Sequence, residues 1–405
     1  MSEPLRVVIV GGCGRVGLPL GLVLATRGCD VDLLDIDVRR IQQVNAAEMP
    51  FSENGAAPLL QQVAGKSLRA TSDASCLATA DAVVTVVGTP VDRHLNPEIH
   101  DLYRSVDSAL KGMRDGALLV LRSTVYPGVT KLVYDRVQHL ARKIHVAFCP
   151  ERITEGKAIE ELVSLPQIVA AFEPAAQAMA RALFARMTPK LIELQPLEAE
   201  LAKLFTNSWR YLNFAISNQF YVLAETYGLD FNRIHDAVTC DYPRMRAFAR
   251  AGFAAGPCLL KDTLQLAAFS GNNFFMGHAA MLVNEGLPNF IVNQLRGPGL
   301  GRKTVAILGM AFKAESDDPR ESLSYKLKKL LELEAREVLC ADPYVPDPEL
   351  VSVEDALAAA DILILGAPHA VYADLQLPPE KQVVDIWGFW RHTAGRHDKM
   401  AHSVA

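Results

Sequence analysis

This sequence lacks several features that mark whole classes of protein. Positive charge is not in excess, since 41 Lys and Arg residues stand against 46 Asp and Glu residues and the formal net charge is -5. Nucleic acid is therefore not an expected partner. Uninterrupted apolar runs such as 117–121 and 362–365 are far shorter than the roughly 18 residues that a membrane span requires. Because the first residues also show no signal peptide, we expect a cytoplasmic protein with no membrane partner.

Paired cysteines are also missing. The seven cysteines are an odd number, and neighbouring ones lie at least 16 positions apart. This spacing excludes a disulfide framework and the CxxC pairs of a zinc site, so no metal is expected. Their positions are 13, 29, 76, 149, 240, 258 and 340. We expect most of them to be reduced, buried thiols, with one or two at most taking part in chemistry.

Length and composition bound the architecture. A chain of 405 residues, 50% of them hydrophobic, is long enough for about two or three domains, each with its own core. Short β-branched runs alternate with helix-like stretches at both ends of the chain, which predicts parallel sheets covered by crossover helices. The predicted strands cover residues 6–10, 30–34, 82–87, 117–121 and 144–148, and then 304–308, 336–340, 362–365 and 382–386. The predicted fold class is therefore α/β.

The middle of the chain, about residues 197–292, has a different pattern. Apolar residues recur at helical spacing between Glu198 and Tyr227, and Gly228 ends this run. At 1.5 Å per residue such a helix is roughly 45 Å long, enough to join two α/β domains and to offer a surface to a second subunit. We therefore expect domains at 1–196, 197–292 and 293–405, with the helical one in the middle.

A glycine-rich loop follows the first predicted strand and precedes a helix-like stretch. Its residues are Gly12, Cys13, Gly14, Arg15, Val16 and Gly17. The three glycines fit the GxGxxG motif of dinucleotide-binding domains, in which a tight turn, a close approach to the pyrophosphate and a helix N-terminus require this order of elements. Asp35, 21 residues after Gly14, is placed to accept the ribose hydroxyls and disfavours the extra phosphate of NADP. NAD is the predicted cofactor, although Arg39 and Arg40 near the ribose leave NADP open.

Six further fragments occur along the chain behind this loop. They are Val87-Gly88-Thr89-Pro90, Ser123 to Gly128, Pro150-Glu151-Arg152 with Gly156, Lys203 with Asn207, Gly256-Pro257-Cys258 with Lys261-Asp262, and Phe312-Lys313 with Asp317 to Arg320. In this order the fragments resemble the UDP-glucose/GDP-mannose dehydrogenases, which oxidise the C6 alcohol of a nucleotide sugar to a carboxylate. The resemblance extends over nearly the whole chain. It implies two Rossmann-like domains, one for NAD and one for a UDP-sugar, joined by a long central helix and a helical dimerisation segment, in a homodimer or a higher homo-oligomer.

Oxidation of an alcohol to an acid on one enzyme needs two hydride transfers and a group that holds the intermediate aldehyde. A thiolate can hold it, because it adds to the aldehyde as a thiohemiacetal, whose oxidation gives a thioester that water then cleaves. The resemblance makes Cys258 this nucleophile, and the other six cysteines are expected to be buried and structural. Lys203 and Asn207, four positions apart, project from one face of the long helix. The resemblance implies that these two residues donate hydrogen bonds to the alkoxide and to later oxyanions.

The resemblance also implies roles for the remaining acid–base groups. Asp262 would manage protons around Lys203 and Cys258, and Thr124 would help to place a water molecule. Glu151 follows a proline at the end of a predicted strand, where α/β sheets bind ligands, and would activate the hydrolytic water. Besides the glycine loop, the residues predicted to contact the cofactor are Asp35, Arg40, Thr89, Pro90, Ser123 and Thr124.

The nucleotide part of the substrate is predicted to bind in the second α/β domain. Lys313 and Arg320 are the best-placed cations for the diphosphate, and Arg320 would act directly or by ordering its loop through a neighbouring aspartate. Arg244 resembles an arginine that some relatives present to the sugar across the dimer interface. His369 either lines the nucleotide pocket or packs in the core. The full set of predicted substrate contacts is Glu151, Lys203, Arg244, Lys313 and Arg320.

The sequence leaves the sugar and the reaction type open. Segment 91–97 is closer to enzymes that act on UDP-N-acetylhexosamines than to the UDP-glucose type, but neither the sugar nor the choice between UDP and GDP follows from it. The leading hypothesis is an NAD-dependent nucleotide-sugar 6-dehydrogenase, a four-electron oxidoreductase. The alternatives are a single-step β-hydroxyacid-type dehydrogenase, which uses a Lys and Asn pair but no cysteine, and a non-catalytic protein that binds nucleotide sugars.

Overall fold

The structure is a computed structural model that describes residues 4–88, 100–253, 256–297 and 299–390. The chain divides into two compact units. The first unit comprises Met1–Thr206 and Ala268–Gly271, and the second comprises Asn207–Ala267 and Asn272–Ala405. Thr89 and Pro90, two of the predicted cofactor residues, lie outside the described residues, as does segment 91–97.

The first unit is built on an eight-stranded sheet. Its strands are β1 (Leu5–Val10), β2 (Cys29–Leu34), β3 (Leu68–Thr71), β4 (Ala82–Thr85), β5 (Leu118–Leu121), β6 (His145–Phe148), β7 (Gln167–Ala171) and β8 (Leu191–Leu194). Their order in the sheet is β3-β2-β1-β4-β5-β6-β7-β8, and all neighbours are parallel except β6 and β7. The helices are α1 (Gly17–Thr26), α2 (Val38–Asn45), α3 (Ala56–Val63), α4 (His100–Gly112), α5 (Val129–His139), α6 (Ala158–Ser164) and α7 (Pro174–Phe184), with a 3-10 helix at Ala74–Thr79.

Hydrophobic residues cover both faces of this sheet. Successive side chains of a strand point to opposite faces, so Val7 and Ile9 of β1 pack in one core while Val8 packs in the other. All residues of β5 are buried, as expected for a parallel strand that is covered on both sides. Packing on both faces leaves the carboxyl ends of the strands as the positions for ligand-binding residues.

A single long helix, α8 (Pro196–Thr226), follows β8 and has 31 residues. Near its start, the buried Glu200 accepts hydrogen bonds from Gly128 N at 2.6 Å, Thr130 N at 2.8 Å and Thr130 Oγ1 at 2.6 Å. Burial raises the pKa of the Glu200 carboxyl, although these hydrogen bonds act in the opposite direction. Glu200 therefore attaches the first turns of α8, which carry Lys203, to the start of α5.

The second unit contains the rest of α8, further helices and a four-stranded parallel sheet. The helices are α9 (Phe231–Thr239), α10 (Leu259–Phe269), α11 (Phe275–Leu295), α12 (Leu323–Leu331) and α13 (Val353–Ala359), with 3-10 helices at Pro243–Met245, Leu300–Arg302 and Ala370–Asp374. The strands are β9 (Thr304–Leu308), β10 (Glu337–Ala341), β11 (Ile362–Leu365) and β12 (Gln382–Val384), in the order β10-β9-β11-β12. The two central strands, β9 and β11, are buried along their whole length.

The predicted α/β class is confirmed, with a parallel-sheet region at each end of the chain and a long helix between them in sequence. Each predicted strand is present, with ends shifted by at most two residues. Strands β3, β7 and β8 were not predicted. Strands β3 and β8 form the partly polar edges of the sheet, and the five residues of β7 are all buried. Among the described residues, no helix is both long and apolar enough to cross a bilayer. The division into three domains stays a prediction.

We expect Glu200→Ala to lower the free energy of unfolding by about 2–4 kcal/mol, because two backbone N–H groups and a hydroxyl lose their acceptor. Chemical denaturation followed by circular dichroism measures this change. The matched control is Glu198→Ala, where an exposed carboxylate accepts one hydrogen bond from Gln195 N at 2.8 Å, and the expected loss is below about 1 kcal/mol. Equal losses for the two variants would show that Glu200 does not anchor α8.

Candidate active site

The glycine loop joins β1 to α1 and leaves little space around two of its glycines. A Cβ atom on Gly12 would lie 2.7 Å from Leu33 Cα. One on Gly17 would lie 2.7 Å from Gly11 O. A Cβ atom on Gly14, in contrast, would meet only Gly11 O among the described residues, at 3.4 Å. Packing therefore requires glycine at positions 12 and 17, whereas Gly14 presents open backbone where the motif places a pyrophosphate.

Asp35 follows β2, and its carboxylate is hydrogen-bonded to the glycine loop. Its Oδ2 accepts from Cys13 N at 2.8 Å, and its Oδ1 accepts from Asp37 N at 3.0 Å. The residue is only half-buried, so the carboxylate keeps lone pairs for ribose hydroxyls. Arg40 is one of the two arginines for which NADP remained an alternative cofactor. It forms an ion pair with Asp37 at 3.3 Å. The accessible carboxylate and the pairing of Arg40 both favour NAD.

Other predicted cofactor residues lie in loops at the carboxyl ends of β1 and β5. The guanidinium of Arg15 lies 5.1 Å from the centre of the Phe51 ring. Ser123, two residues after β5, donates a hydrogen bond to Val87 O at 2.6 Å, and Thr124 beside it is half-buried. Because β1, β4 and β5 are parallel neighbours, the loops that follow them meet at one edge of the sheet.

Glu151, the predicted base for hydrolysis, is paired with a buried arginine. The fully buried side chain of Arg122 forms an ion pair with Glu151 and also donates to Gln167 Oε1 at 3.0 Å and to Cys149 O at 3.1 Å. Glu151 Oε1 accepts from the next two backbone N–H groups, at 2.7 and 3.0 Å. A carboxylate has about four lone-pair positions, so these partners fix Glu151 and leave room for one water molecule.

Three of the predicted catalytic residues come together between α8 and α10. Cys258 is exposed directly before α10, and its carbonyl accepts from Asp262 N at 2.9 Å. Asp262 is fully buried, and its Oδ2 accepts from Asn207 Nδ2 of α8 at 2.6 Å. Its Oδ1 lies 3.3 Å from Lys261 Nζ and accepts no hydrogen bond within the described part of the chain. A buried carboxylate, with one oxygen held by Asn207 and the other beside the Lys261 ammonium, thus lies one helical turn from an exposed thiol.

Side chains of α8 hold the segment that leads to Cys258. Ser217 donates to Ala249 O at 2.6 Å. Asn218 donates to Gly252 O at 3.0 Å and accepts from Gly252 N at 2.8 Å. Gly252 also packs so closely against Trp387 that a Cβ atom at this position would overlap the indole ring. The segment is therefore fixed between α8 and the residues that follow β12.

Gly256, two residues before Cys258, connects two loops of the second unit. It has a left-handed backbone with φ of 98°, and its N–H donates to Glu321 O at 3.3 Å. A Cβ atom here would lie 2.5 Å from the ring of Phe312. Since only glycine satisfies both the backbone angle and the close approach, the loop that carries Cys258 lies against the loop that carries Lys313.

The predicted diphosphate residues lie in the loop between β9 and α12. The Arg320 Nε lies 2.9 and 3.0 Å from the two carboxylate oxygens of the buried Asp318. This ion pair joins two residues of the same loop. The Lys313 ammonium lies 5.8 Å from the centre of the Phe312 ring. Arg244, in the exposed 3-10 helix Pro243–Met245, lies over a neighbouring tyrosine ring at 5.5 Å.

Most of the other cysteines have the expected environment. Burial raises the pKa of Cys13, Cys149 and Cys340 to about 12 and that of Cys76 to about 11, so these thiols stay protonated at neutral pH. The prediction is wrong for Cys240, which is exposed because it is the residue after the end of α9. Within residues 4–88, 100–253, 256–297 and 299–390, no group of three or more His, Cys, Asp or Glu could hold a metal ion.

Sequence reasoning missed several residues that hold candidate site residues or their loops in place. These are Arg122, Glu200 and Asp342. The side chain of Asp342 lies 3.0 Å from that of His369, and both are fully buried, so His369 belongs to the core and not to an open pocket. An arginine directly after the apolar strand β5 is a sequence signal that could have identified Arg122, because a buried charge needs a partner. Glu200 and Asp342 resemble ordinary exposed charges in the sequence.

Comparison with known proteins relates this arrangement to one family. Models of the UDP-glucose/GDP-mannose dehydrogenase family match in three parts, the NAD binding domain over residues 5–188, the central domain over 197–285 and the UDP binding domain over 306–392. A UDP-N-acetyl-D-mannosamine dehydrogenase of Methanococcus maripaludis is 26% identical over 386 residues, which cover 92% of this chain and 88% of the relative.

Solved structures show the same similarity. A UDP-D-ManNAc dehydrogenase from Pyrococcus horikoshii superposes with a TM-score of 0.86 and 26% identity, covering 92% of this chain and 91% of that one. A UDP-glucose dehydrogenase from Pyrobaculum islandicum superposes with a TM-score of 0.87 and 26% identity, covering 96% of both chains. The chain therefore belongs to the UDP-glucose/GDP-mannose dehydrogenase family and is an NAD-dependent UDP-sugar dehydrogenase, an oxidoreductase.

Proposed function

We propose that this enzyme oxidises the C6 alcohol of a UDP-N-acetylhexosamine to the carboxylate in two steps, with Cys258 holding the half-oxidised sugar. The observation that carries this proposal is the exposed thiol at the start of α10, one turn from the buried pair of Asp262 and Asn207. In the balanced reaction, one alcohol, one water and two NAD⁺ give one carboxylate, two NADH and three protons.

The first unit supplies a site that fits NAD. Open backbone at Gly14 and the N-terminus of α1 suit a pyrophosphate, and the accessible Asp35 carboxylate suits the ribose hydroxyls. When bound, NAD accepts the hydride that leaves the sugar in each oxidation. We assign Ser123 and Thr124, together with Thr89 and Pro90, to the same site.

In the first oxidation the alcohol loses a proton as well as a hydride. Asp262 is suited to proton transfer, because its Oδ1 accepts no hydrogen bond from the described residues while its Oδ2 is held by Asn207. The Asn207 amide has a second N–H to donate. We propose that this N–H, together with Lys203 on the same face of α8, donates a hydrogen bond to the substrate oxygen that becomes negative. One well-placed donor there lowers the barrier by about 3 kcal/mol.

The aldehyde is then held covalently. The thiolate of Cys258 attacks the aldehyde carbon to form a C–S bond, and the oxygen takes up a proton to give a thiohemiacetal. Loss of that proton and of the hydride gives a thioester. The position directly before α10 supports this role, because the partial positive charge of a helix N-terminus stabilises a thiolate.

Hydrolysis of the thioester needs a base. We assign this role to Glu151, which takes a proton from water as the water oxygen attacks the thioester carbon. The C–S bond then breaks and the thiolate of Cys258 is regenerated. The ion pair with Arg122 and the two backbone hydrogen bonds support this assignment, since they fix an ionised carboxylate. Thr124 would help to place the water.

The choice of substrate rests on the relatives and on the second sheet. The UDP binding domain of the family spans residues 306–392 and includes Lys313 and Arg320. We propose that Lys313 binds the diphosphate and that Arg320 keeps the loop around it ordered. Arg244 would contact the sugar that is bound by a partner subunit. An N-acetylhexosamine is favoured over glucose because UDP-N-acetyl-D-mannosamine dehydrogenases are prominent among the relatives.

A homodimer that forms along α8 accounts for an exposed apolar stripe. Its members recur at helical spacing on one face of the helix. They are Trp209, Ile216, Phe220, Leu223 and Tyr227, with 61, 42, 48, 55 and 73% of their surface exposed. Contiguous apolar surface of this kind marks interaction sites, and a second copy with the same stripe would cover it in a symmetric interface. We also propose that the chain folds as three domains, at 1–196, 197–292 and 293–405, and that the enzyme is located in the cytoplasm.

A panel of UDP- and GDP-sugars with NAD, followed by NADH absorbance to completion, tests the function. We expect turnover with a UDP-N-acetylhexosamine and about two NADH for each sugar consumed, because the C6 alcohol loses two hydrides. A ratio near one would reject the four-electron reaction. Binding of NAD and a UDP-sugar with no turnover of any member of the panel would favour a non-catalytic protein.

We expect Cys258→Ser to lower the rate of acid formation by about 1000-fold or more, because a hydroxyl is a far weaker nucleophile than a thiolate. The matched control is Cys240→Ser, which alters the other exposed cysteine and should keep full activity. Mass spectrometry of the native enzyme during turnover should find an acyl adduct on Cys258. Undiminished acid production by Cys258→Ser would favour the single-step dehydrogenase.

We expect Phe220→Glu to weaken the dimer by about 100-fold or more, because the interface loses a buried ring and gains an unpaired charge. Analytical ultracentrifugation over a range of protein concentrations measures the change. Thr226→Glu introduces the same side chain on α8 about a quarter turn away from the stripe and should leave the dimer intact. Similar dissociation constants for the two variants would place the interface elsewhere.

A further inference from the structure

We propose that His369 is a positioning residue that holds the loop carrying Lys313 and thereby raises the affinity for the nucleotide diphosphate. This inference rests on the proposed function, in which Lys313 contacts the diphosphate. The side chain of His369 is fully buried, so it acts through the loop and not by touching the substrate. We call this arrangement the clamp. It consists of Asp342 and His369, which form hydrogen bonds to the loop residues Met310 to Glu315.

The first half of the clamp is Asp342, which directly follows β10. Its Oδ2 accepts hydrogen bonds from Met310 N at 2.6 Å and from Ala311 N at 3.0 Å. Its Oδ1 accepts from the backbone N–H groups two and three residues further on, at 2.8 and 3.1 Å. With His369 as a fifth donor, the buried carboxylate has no lone pair left for a ligand. It serves to fix the start of the loop.

The second half of the clamp is His369, and its partners assign the position of its proton. Nε2 lies 3.0 Å from Asp342 Oδ2, and Nδ1 lies 3.0 Å from Glu315 N. A backbone N–H can only donate, so Nδ1 must be the acceptor and the proton must be on Nε2. Burial raises the pKa of Asp342, but hydrogen bonds from His369 and from backbone N–H groups outweigh it, and the pKa lies below its ordinary value. The carboxylate is thus an ionised acceptor.

Glu315 forms a second hydrogen bond to the same segment. Ala370 N, next to His369, donates to Glu315 Oε1 at 2.6 Å. Glu315 has a left-handed backbone with φ of 54°, which is uncommon for a residue other than glycine, asparagine or aspartate. The two bonds therefore hold a loop conformation that its own backbone preferences disfavour.

Lys313 lies between the two fixed points. Asp342 fixes the backbone at Ala311 and His369 fixes it at Glu315, which places one anchor two residues before Lys313 and the other two residues after it. A cation on a fixed backbone loses less conformational freedom when it binds a diphosphate than one on a loose loop. The clamp thus favours binding without adding a contact to the ligand.

Protonation of His369 would break the clamp, because an N–H on Nδ1 would then face the N–H of Glu315. The charged and titratable groups that face the imidazole are the Asp342 carboxylate, the Glu315 carboxylate at 4.0 Å from Nδ1, and the rings of Tyr344 and Tyr372. The clamp therefore depends on a neutral imidazole with its proton on Nε2.

Two substitutions separate the two hydrogen bonds of His369. The amide nitrogen of His369→Gln takes the place of Nε2 and can donate to Asp342, but no acceptor remains for Glu315 N. The amide oxygen of His369→Asn takes the place of Nδ1 and can accept from Glu315 N. We expect His369→Gln to raise the KM for the UDP-sugar by about tenfold at neutral pH. We expect His369→Asn to keep a KM near that of the wild type.

Steady-state kinetics of the full-length enzyme and calorimetric titration of UDP, both at neutral pH, measure these effects. For His369→Gln, the UDP dissociation constant should rise in parallel with the KM for the sugar, while the KM for NAD changes by less than about twofold. The matched control is Tyr372→Phe, which removes a hydroxyl 3.4 Å from Ala341 O and leaves the ring against His369. It should keep the wild-type KM.

Equal KM values for the Gln and Asn variants would overturn the clamp. ¹⁵N NMR of the His369 imidazole in the wild-type enzyme decides the matter even if a variant does not fold, because a proton on Nδ1 would exclude the hydrogen bond from Glu315 N. Lys313→Ala separates this inference from the proposed function. If this variant binds UDP and the UDP-sugar as tightly as the wild type, the diphosphate site itself is assigned wrongly, whatever the variants of His369 show.

Discussion

The position of Cys258 depends on the close approach of two glycine backbones to two aromatic rings. Gly252 lies against Trp387 and Gly256 lies against Phe312, and neither position has room for a Cβ atom. Because Phe312 directly precedes Lys313, this packing also sets the loop of the nucleophile against the loop proposed to bind the diphosphate. Placement of the thiol is therefore coupled to folding of the second sheet and its loops.

The two parallel sheets use the same kind of carboxylate for different purposes. In each sheet, an aspartate after one strand accepts hydrogen bonds from the turn that follows the neighbouring strand. Asp35 accepts one from Cys13 N and stays half-exposed, so it keeps lone pairs for a ligand. Asp342 accepts from Met310 N and Ala311 N, is fully buried and is bonded to His369. The first carboxylate suits recognition of a ribose, and the second supports a loop.

Residues that follow local rules could be predicted from the sequence, and residues that depend on distant partners could not. The glycine loop and Asp35 follow from the order of strand, loop and helix, and the pattern of apolar residues indicated α8. The partner of Glu151 is Arg122, 29 positions away, and the partner of Glu200 is Gly128, 72 positions away. No local pattern encodes such pairs. The burial predicted for Cys240 was wrong for the same reason, since its exposure depends on where α9 ends relative to its neighbours.

By itself, the sequence determined the α/β class, the long helix and the NAD loop, because each depends on residues close together in the chain, and it supplied the candidates for the reacting groups. The tertiary structure decided which of these groups are buried, paired or open. It brought Asn207 to Asp262, left the Cys258 thiol at the surface, and placed His369 between Asp342 and Glu315. Burial and hydrogen bonding depend on residues that meet only after folding, so the spacing of the residues could not show them.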